Sequence, residues 1–159
     1  MSDQTAIVKQ IDWSAGFQVV AGHMNLGLTE PSPETKEFWE GVARDELQLK
    51  RCRGCRRYLH PRRMACPDCH KAGVEWAPAS GTGKVYSFST IHRAPNPELA
   101  KSVPYCVGIV HLREDVYLFT RFIVAQGTEP EIGDPAELEF RILENGQKLP
   151  VFAVSNRQA

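Results

Sequence analysis

Two Cys-x-x-Cys pairs, Cys52/Cys55 and Cys66/Cys69, are separated by ten residues within the stretch KRCRGCRRYLHPRRMACPDCHK, residues 50–71. No other feature of this chain limits its fold as strongly. Each pair sets two thiolates on one tight turn, and the short insert lets the two turns face each other. Gly54 gives one turn a permissive backbone and Pro67 stiffens the other. Four thiolates on facing turns make the closed tetrahedral site that structural zinc takes, and iron in a rubredoxin-like site uses the same ligands. One pair alone would equally match a redox motif. The other reading of two pairs is two disulfides, and the rest of the chain argues against it. There is no apolar run of membrane-spanning length and no signal peptide at the N-terminus, and the chain is 42% hydrophobic and 24% charged. That composition suits a soluble cytoplasmic protein, whose thiols stay reduced and free for metal.

With 159 residues, the chain has room for one ordinary domain or two small ones sharing an interface. Residues 1–31 carry Ile11, Trp13, Phe17, Val19 and Val20 between helix-breaking glycines. They read as an arm that packs on something else, a partner chain included, or as a flexible leader. Ser32-Pro33-Glu34 is a helix start, with serine as N-cap and proline in the first position, and predicts a helix over 32–46. Phe38, Trp39 and Val42 fall on one face of it, suited to core packing or an interface. Leu47 and Leu49 alternate with polar residues on a short strand into the first knuckle, and a strand with Val74 and Trp76 follows the second. This ribbon, 47–79, is too small to bury a core alone, so a metal must supply much of its folding free energy.

From Ser80 the pattern becomes strands divided by turn residues. Strands are expected over 84–93, with Tyr86, Phe88 and Thr90 on one face, and over 105–112, 116–124, 137–143 and 151–154. Turns fall at Arg113-Glu114-Asp115, Gly133-Asp134-Pro135 and Asn145-Gly146, with a longer loop from Ala94. Five short antiparallel strands suit a small, partly open OB-type barrel over 80–159 better than a sandwich. The fold class is therefore mainly β: an N-terminal helix, a four-cysteine ribbon, then a five-stranded OB-fold barrel.

In that order of elements the chain resembles the DUF35 family of zinc-ribbon plus OB-fold proteins. The matching stretches are FWEGVARDELQLKRCRGC, CPDC with Trp76 shortly after it, SGTGKVYSFSTIHR and LPVFAV, which together span residues 35–154. Glu114-Asp115 and Asp134-Pro135 depart from the family's usual loops. The resemblance implies a non-catalytic, zinc-holding accessory subunit of a thiolase-type enzyme acting on acyl-CoA thioesters, as in 3-oxoacyl-CoA thiolysis during aromatic or steroid side-chain degradation. Relatives accompany hydratases, aldolases and acyltransferases. It further implies a hetero-oligomer in which coenzyme A is met only through the partner.

The residues offer no active site of their own. Cys106, the one cysteine outside the knuckles, lies mid-strand and reads as a buried inert thiol. The five histidines have no carboxylate or nucleophile at a telling spacing, and Gly81-x-Gly83 reads as close backbone packing. The net charge is zero but uneven: residues 50–71 hold eight Lys/Arg against one acid, leaving eleven bases against eighteen acids elsewhere. Arg51, Arg53, Arg56, Arg57, Arg62 and Arg63 have three readings. They balance a negative tetrathiolate, they contact CoA phosphates or an acidic partner face, or they bind nucleic acid. The acidic barrel argues against the last, which is the alternative function. Tyr86, Phe88, Tyr117 and Phe119 are expected in the core, with base stacking as the alternative. A docking helix face of Phe38, Trp39 and Val42 completes the sequence reading.

Overall fold

The computed structural model describes residues 32–70, 73–93, 103–125, 128–142 and 148–155. The expected N-terminal arm, the loop from Ala94 and the Asn145-Gly146 turn lie outside the described residues. Helix α1 spans Lys36–Ala43, one turn later than its sequence signal. The cause is local: the Thr35 N–H donates to the Ser32 carbonyl at 2.9 Å, closing a turn around Pro33 before the helix begins. The helix stops where Asp45 takes a positive φ of 63°.

Strands β1 (Gln48–Cys52), β2 (Tyr58–Leu59) and β3 (Val74–Pro78) form a small antiparallel sheet in the order β2-β1-β3. Strands β4 (Thr82–Ile91), β5 (Tyr105–Leu112), β6 (Tyr117–Ile123), β7 (Pro135–Ile142) and β8 (Lys148–Val154) form a barrel. Its order is β4-β5-β6-β8-β7, and β7 pairs back with β4, so the barrel is closed where the sequence suggested a partly open one. One pairing, β6 with β8, is parallel. Neither feature is readable from alternation along one strand, because closure is a pairing between distant segments.

Ribbon and barrel share one core. Leu47 and Leu49, at the base of the ribbon, pack in the same cluster as Val85, Val110, Leu112, Phe122 and Phe152 of the barrel. Each such side chain, fully buried, contributes about 1.5–3 kcal/mol. The strand alternation of β1 thus serves the barrel as much as the ribbon.

The expected single face for Tyr86 and Phe88 does not hold. A β-bulge between Val85 and Ser87 puts an extra residue into β4, so Tyr86 turns outward while Phe88 packs against the core. Close backbone packing at Gly83 does hold: a Cβ there would lie 2.5 Å from the His111 carbonyl oxygen across the sheet.

Candidate metal centre

The four knuckle sulfurs all lie within 4.8 Å of one another. Cys52–Cys69 and Cys55–Cys66 are each 3.5 Å apart, too far for a disulfide. A tetrahedral ion with bonds of about 2.3 Å needs sulfurs about 3.8 Å apart, so this cage matches a tetrathiolate metal with little adjustment. The cage comes from the backbone. Cys52 closes β1, its N–H donates to the Arg57 carbonyl, and the Gly54 N–H donates to its sulfur at 3.3 Å. Backbone N–H groups at Cys55 first, and the Cys69 and Gly54 contacts after it, hold the Cys52 thiol down at about 6. The Cys66 thiol is lowered in the same way by the Cys69 N–H. Cys55 sits at about 11: the Arg57 N–H lowers it, but the Cys66 sulfur, burial and the remaining sulfurs together outweigh that. Cys52 is thus the ligand most ready as a thiolate, and a metal would displace the proton that Cys55 holds. Cys52 and Cys66 are buried, whereas Cys55 is exposed.

The residue that the sequence pattern does not flag is Lys50. It is only 4% exposed, its ammonium 5.1 Å from the centre of the Trp76 ring and 3.3 Å from the Met64 sulfur. No carboxylate pairs with it among the described residues. Two positions from Cys52 on the same strand, it supplies a buried positive charge beside a site that carries net negative charge when filled. Its partners come from two other segments, so spacing alone could not reveal it.

The arginines divide into three groups. Arg53 and Arg56 both reach Glu75, at 3.6 and 3.0 Å, and Arg51 lies over the Tyr58 ring. Arg62 and Arg63 have no side-chain partner among the described residues. They flank His60, whose Nδ1 accepts the Arg62 N–H at 3.2 Å and whose pKa is lowered by burial and then by their charges. Arg57 is a clamp. It donates to Asp68 of the second knuckle at 2.6 Å and to Asp115 of the β5–β6 turn at 2.9 Å. Asp115 also lies 2.9 Å from His111 Nε2, and its neighbour Glu114 accepts the Ser80 N–H at 2.6 Å. The Arg113-Glu114-Asp115 turn therefore ties barrel to ribbon, with Asp115 itself at a positive φ of 59°.

The clamp has a pH signature. The His111 hydrogen bond, then the Arg57 charge, hold the Asp115 carboxyl below its usual range. A lowered folded pKa contributes stability that is fully present above the ordinary carboxylate value and is lost as pH falls through the lowered one. Arg57→Gln or His111→Phe should raise the Asp115 titration, read by NMR of the side-chain carboxyl. An unchanged Asp115 titration in both variants would show that the clamp does not form in solution.

On the helix, Val42 is only 1% exposed and Phe38 packs against the shared core, while Trp39 meets Phe38 edge-on at 5.2 Å. Most of this face is thus spent inside the chain. The expected core placement fails for Tyr86, Tyr117 and Phe119, which are 53%, 44% and 71% exposed. Their alternation is real, but it runs around a closed barrel whose interior is already filled by the opposite face. Cys106 is buried, and burial raises its thiol pKa. No helix among the described residues is long and apolar enough to cross a membrane.

Comparison with known proteins matches both parts of this architecture. Residues 39–75 match the ChsH2 rubredoxin-like zinc ribbon domain and residues 76–141 the ChsH2 C-terminal OB-fold domain. A DUF35 domain-containing scaffold protein of Methanothermobacter thermautotrophicus is 32% identical, over 72% of this chain and 87% of that protein. A probable enoyl-CoA hydratase alpha subunit of Thermomonospora curvata is 34% identical over 72% of this chain, which spans only 36% of that subunit's length. The benzoylsuccinyl-CoA thiolase subunit BbsA of Thauera aromatica is 31% identical over 52% of this chain and 55% of that subunit. Among solved structures, a chain of the Ltp2-ChsH2(DUF35) aldolase superposes with a TM-score of 0.68 at 31% identity, covering 77% of this chain and 95% of that one.

Proposed function

The chain belongs to the DUF35 family, and on that basis we propose that it is a zinc-holding, non-catalytic accessory subunit of an enzyme complex acting on acyl-CoA thioesters. The observation that carries the reading is a closed four-cysteine ribbon built into one core with an OB barrel. A chain of the Ltp2-ChsH2(DUF35) aldolase, 31% identical to this one, superposes over 77% of it, which supports the same reading. Within this reading the finer proposal is a thiolase-type partner, supported by the similarity to BbsA; hydratase and aldolase partners rest on the other relatives. Arg62 and Arg63, which make no side-chain hydrogen bond or ion pair among the described residues, sit beside His60 on the exposed inter-knuckle loop and suit contact with CoA phosphates or an acidic partner face. The raised pKa of buried Cys106 disfavours its use as a nucleophile, because the thiolate is the reactive form.

The test is co-expression of the full chain with candidate thiolase-, hydratase- and aldolase-type subunits, following association and activity at low and high salt. A complex that survives moderate salt, and whose activity needs this chain, is the expected result, since an obligate interface is large and apolar. Binding of a labelled oligonucleotide that weakens steeply with salt, with no enzyme complex, would replace this reading by nucleic-acid binding.

A further inference from the structure

The aromatic strip on the outside of the barrel has no role in the metal centre or the core. It runs across β4, β5 and β6. In one row Lys84, His111 and Tyr117 are cross-strand neighbours, and in the next Ser87, Ile109 and Phe119 are. The bulge in β4 delivers Tyr86 to the same surface, where its ring meets Tyr117 edge-on at 4.8 Å. Phe119 is the most exposed ring of the group, and an exposed contiguous apolar patch of this kind marks an interaction surface.

Resting on the accessory-subunit reading, we propose that this strip is the docking surface for the catalytic subunit, and that the partner presents an apolar patch edged by carboxylates. Three observations select that occupant. The first is ring geometry. His111 stacks flat on Tyr117, 4.3 Å between centroids and 2° between planes, while the Tyr86 and Tyr117 rings meet in a T-shaped contact. One face of Tyr117 is therefore already taken by His111, whereas single-stranded nucleic acid needs open ring faces in succession. The second is charge. Lys84 and Arg113 border the strip without a side-chain partner among the described residues, and the Asp115 carboxylate beside it is held by Arg57 and His111. The edge is left basic, which complements carboxylates on a partner. The third is rigidity. Asp115 is tied through Arg57 to Asp68 of the second knuckle, so the metal-bearing ribbon fixes the end of the strip before binding. A surface ordered in advance loses less freedom on association.

The experiment uses the full chain, co-expressed with candidate catalytic subunits of thiolase, hydratase and aldolase type, and affinity measured by calorimetry. Phe119→Glu and Tyr86→Ser alter exposed rings and should leave metal content and circular dichroism unchanged. Each should weaken the complex about thirtyfold or more, as loss of a central aromatic contact does. Ile142→Ser, an equally exposed apolar residue on β7, should leave affinity unchanged. Lys84→Glu should slow association and lessen its salt dependence. A complex formed equally well by Phe119→Glu overturns the strip as the docking surface while leaving the accessory-subunit reading in place. Failure of the wild-type chain to bind any of these subunits overturns both. Self-association of the isolated chain abolished by Phe119→Glu would assign the strip to a second copy instead, and oligothymidylate binding lost in the same variant would assign it to nucleic acid; either result overturns the proposal.

Discussion

Cys66→Ser is expected to release the metal and unfold the ribbon. Cys66 is buried within the sulfur cage, 3.5 Å from Cys55, so a serine there removes a thiolate that no nearby group can replace. The ribbon's own cluster is small, Cys52, Leu59 and Cys66 with Cys69 and Val74 packed against it, and most of its members are the ligands themselves. Metal binding therefore carries its folding, and structural zinc supplies about 10–16 kcal/mol in peptides of this kind. The loss should spread, because Leu47 and Leu49 enter the barrel's core from the ribbon side. Elemental analysis should find one zinc per wild-type chain and none in the variant, with an earlier melting transition. A strong chelator should reproduce the shift in the wild type. Cys106→Ala should keep its metal, since that thiol stands apart from the cage. A Cys66→Ser chain with full metal content and an unchanged melt would remove the metal from the account of this fold. Stoichiometric iron in place of zinc would keep the geometry and change the ion.

Gly108→Ala is expected to destabilise the barrel by about 3 kcal/mol or more, the upper end for forced overpacking. A Cβ at position 108 would stand 2.0 Å from the Ser87 carbonyl oxygen and 2.7 Å from the Phe88 Cα. Both are backbone atoms, so no rotamer change relieves the clash and the strands must part. It falls where the β4 bulge has just shifted the register, opposite Phe88, and it also crowds the Phe122 ring at 2.8 Å. Since the bulge is what turns Tyr86 outward, the variant should disturb the aromatic strip as well. Urea denaturation of the metal-loaded protein measures the loss. Equal midpoints for Gly108→Ala and wild type would show that the barrel wall yields more easily than this packing implies.

The amino-acid sequence alone brought out four cysteines that the fold places where they could hold a metal, and located the barrel strands to within about three residues. Cys-x-x-Cys spacing is a local constraint, so four residues name the site wherever the chain goes. Period-two alternation is local too, and β5 lies where it was read, Tyr105–Leu112. Other features arise only in the folded chain, because they depend on segments far apart in the sequence meeting. Closure of the barrel rests on β7 pairing with β4 and β6 with β8. The burial of Lys50 rests on Trp76 and Met64, and the role of Asp115 on Arg57, fifty-eight positions away. Tyr86 shows the limit most plainly: alternation puts it beside Phe88, and one extra residue in the strand sends it to the opposite face. A bulge is a property of two strands in register, and a single sequence read one strand at a time does not contain the register.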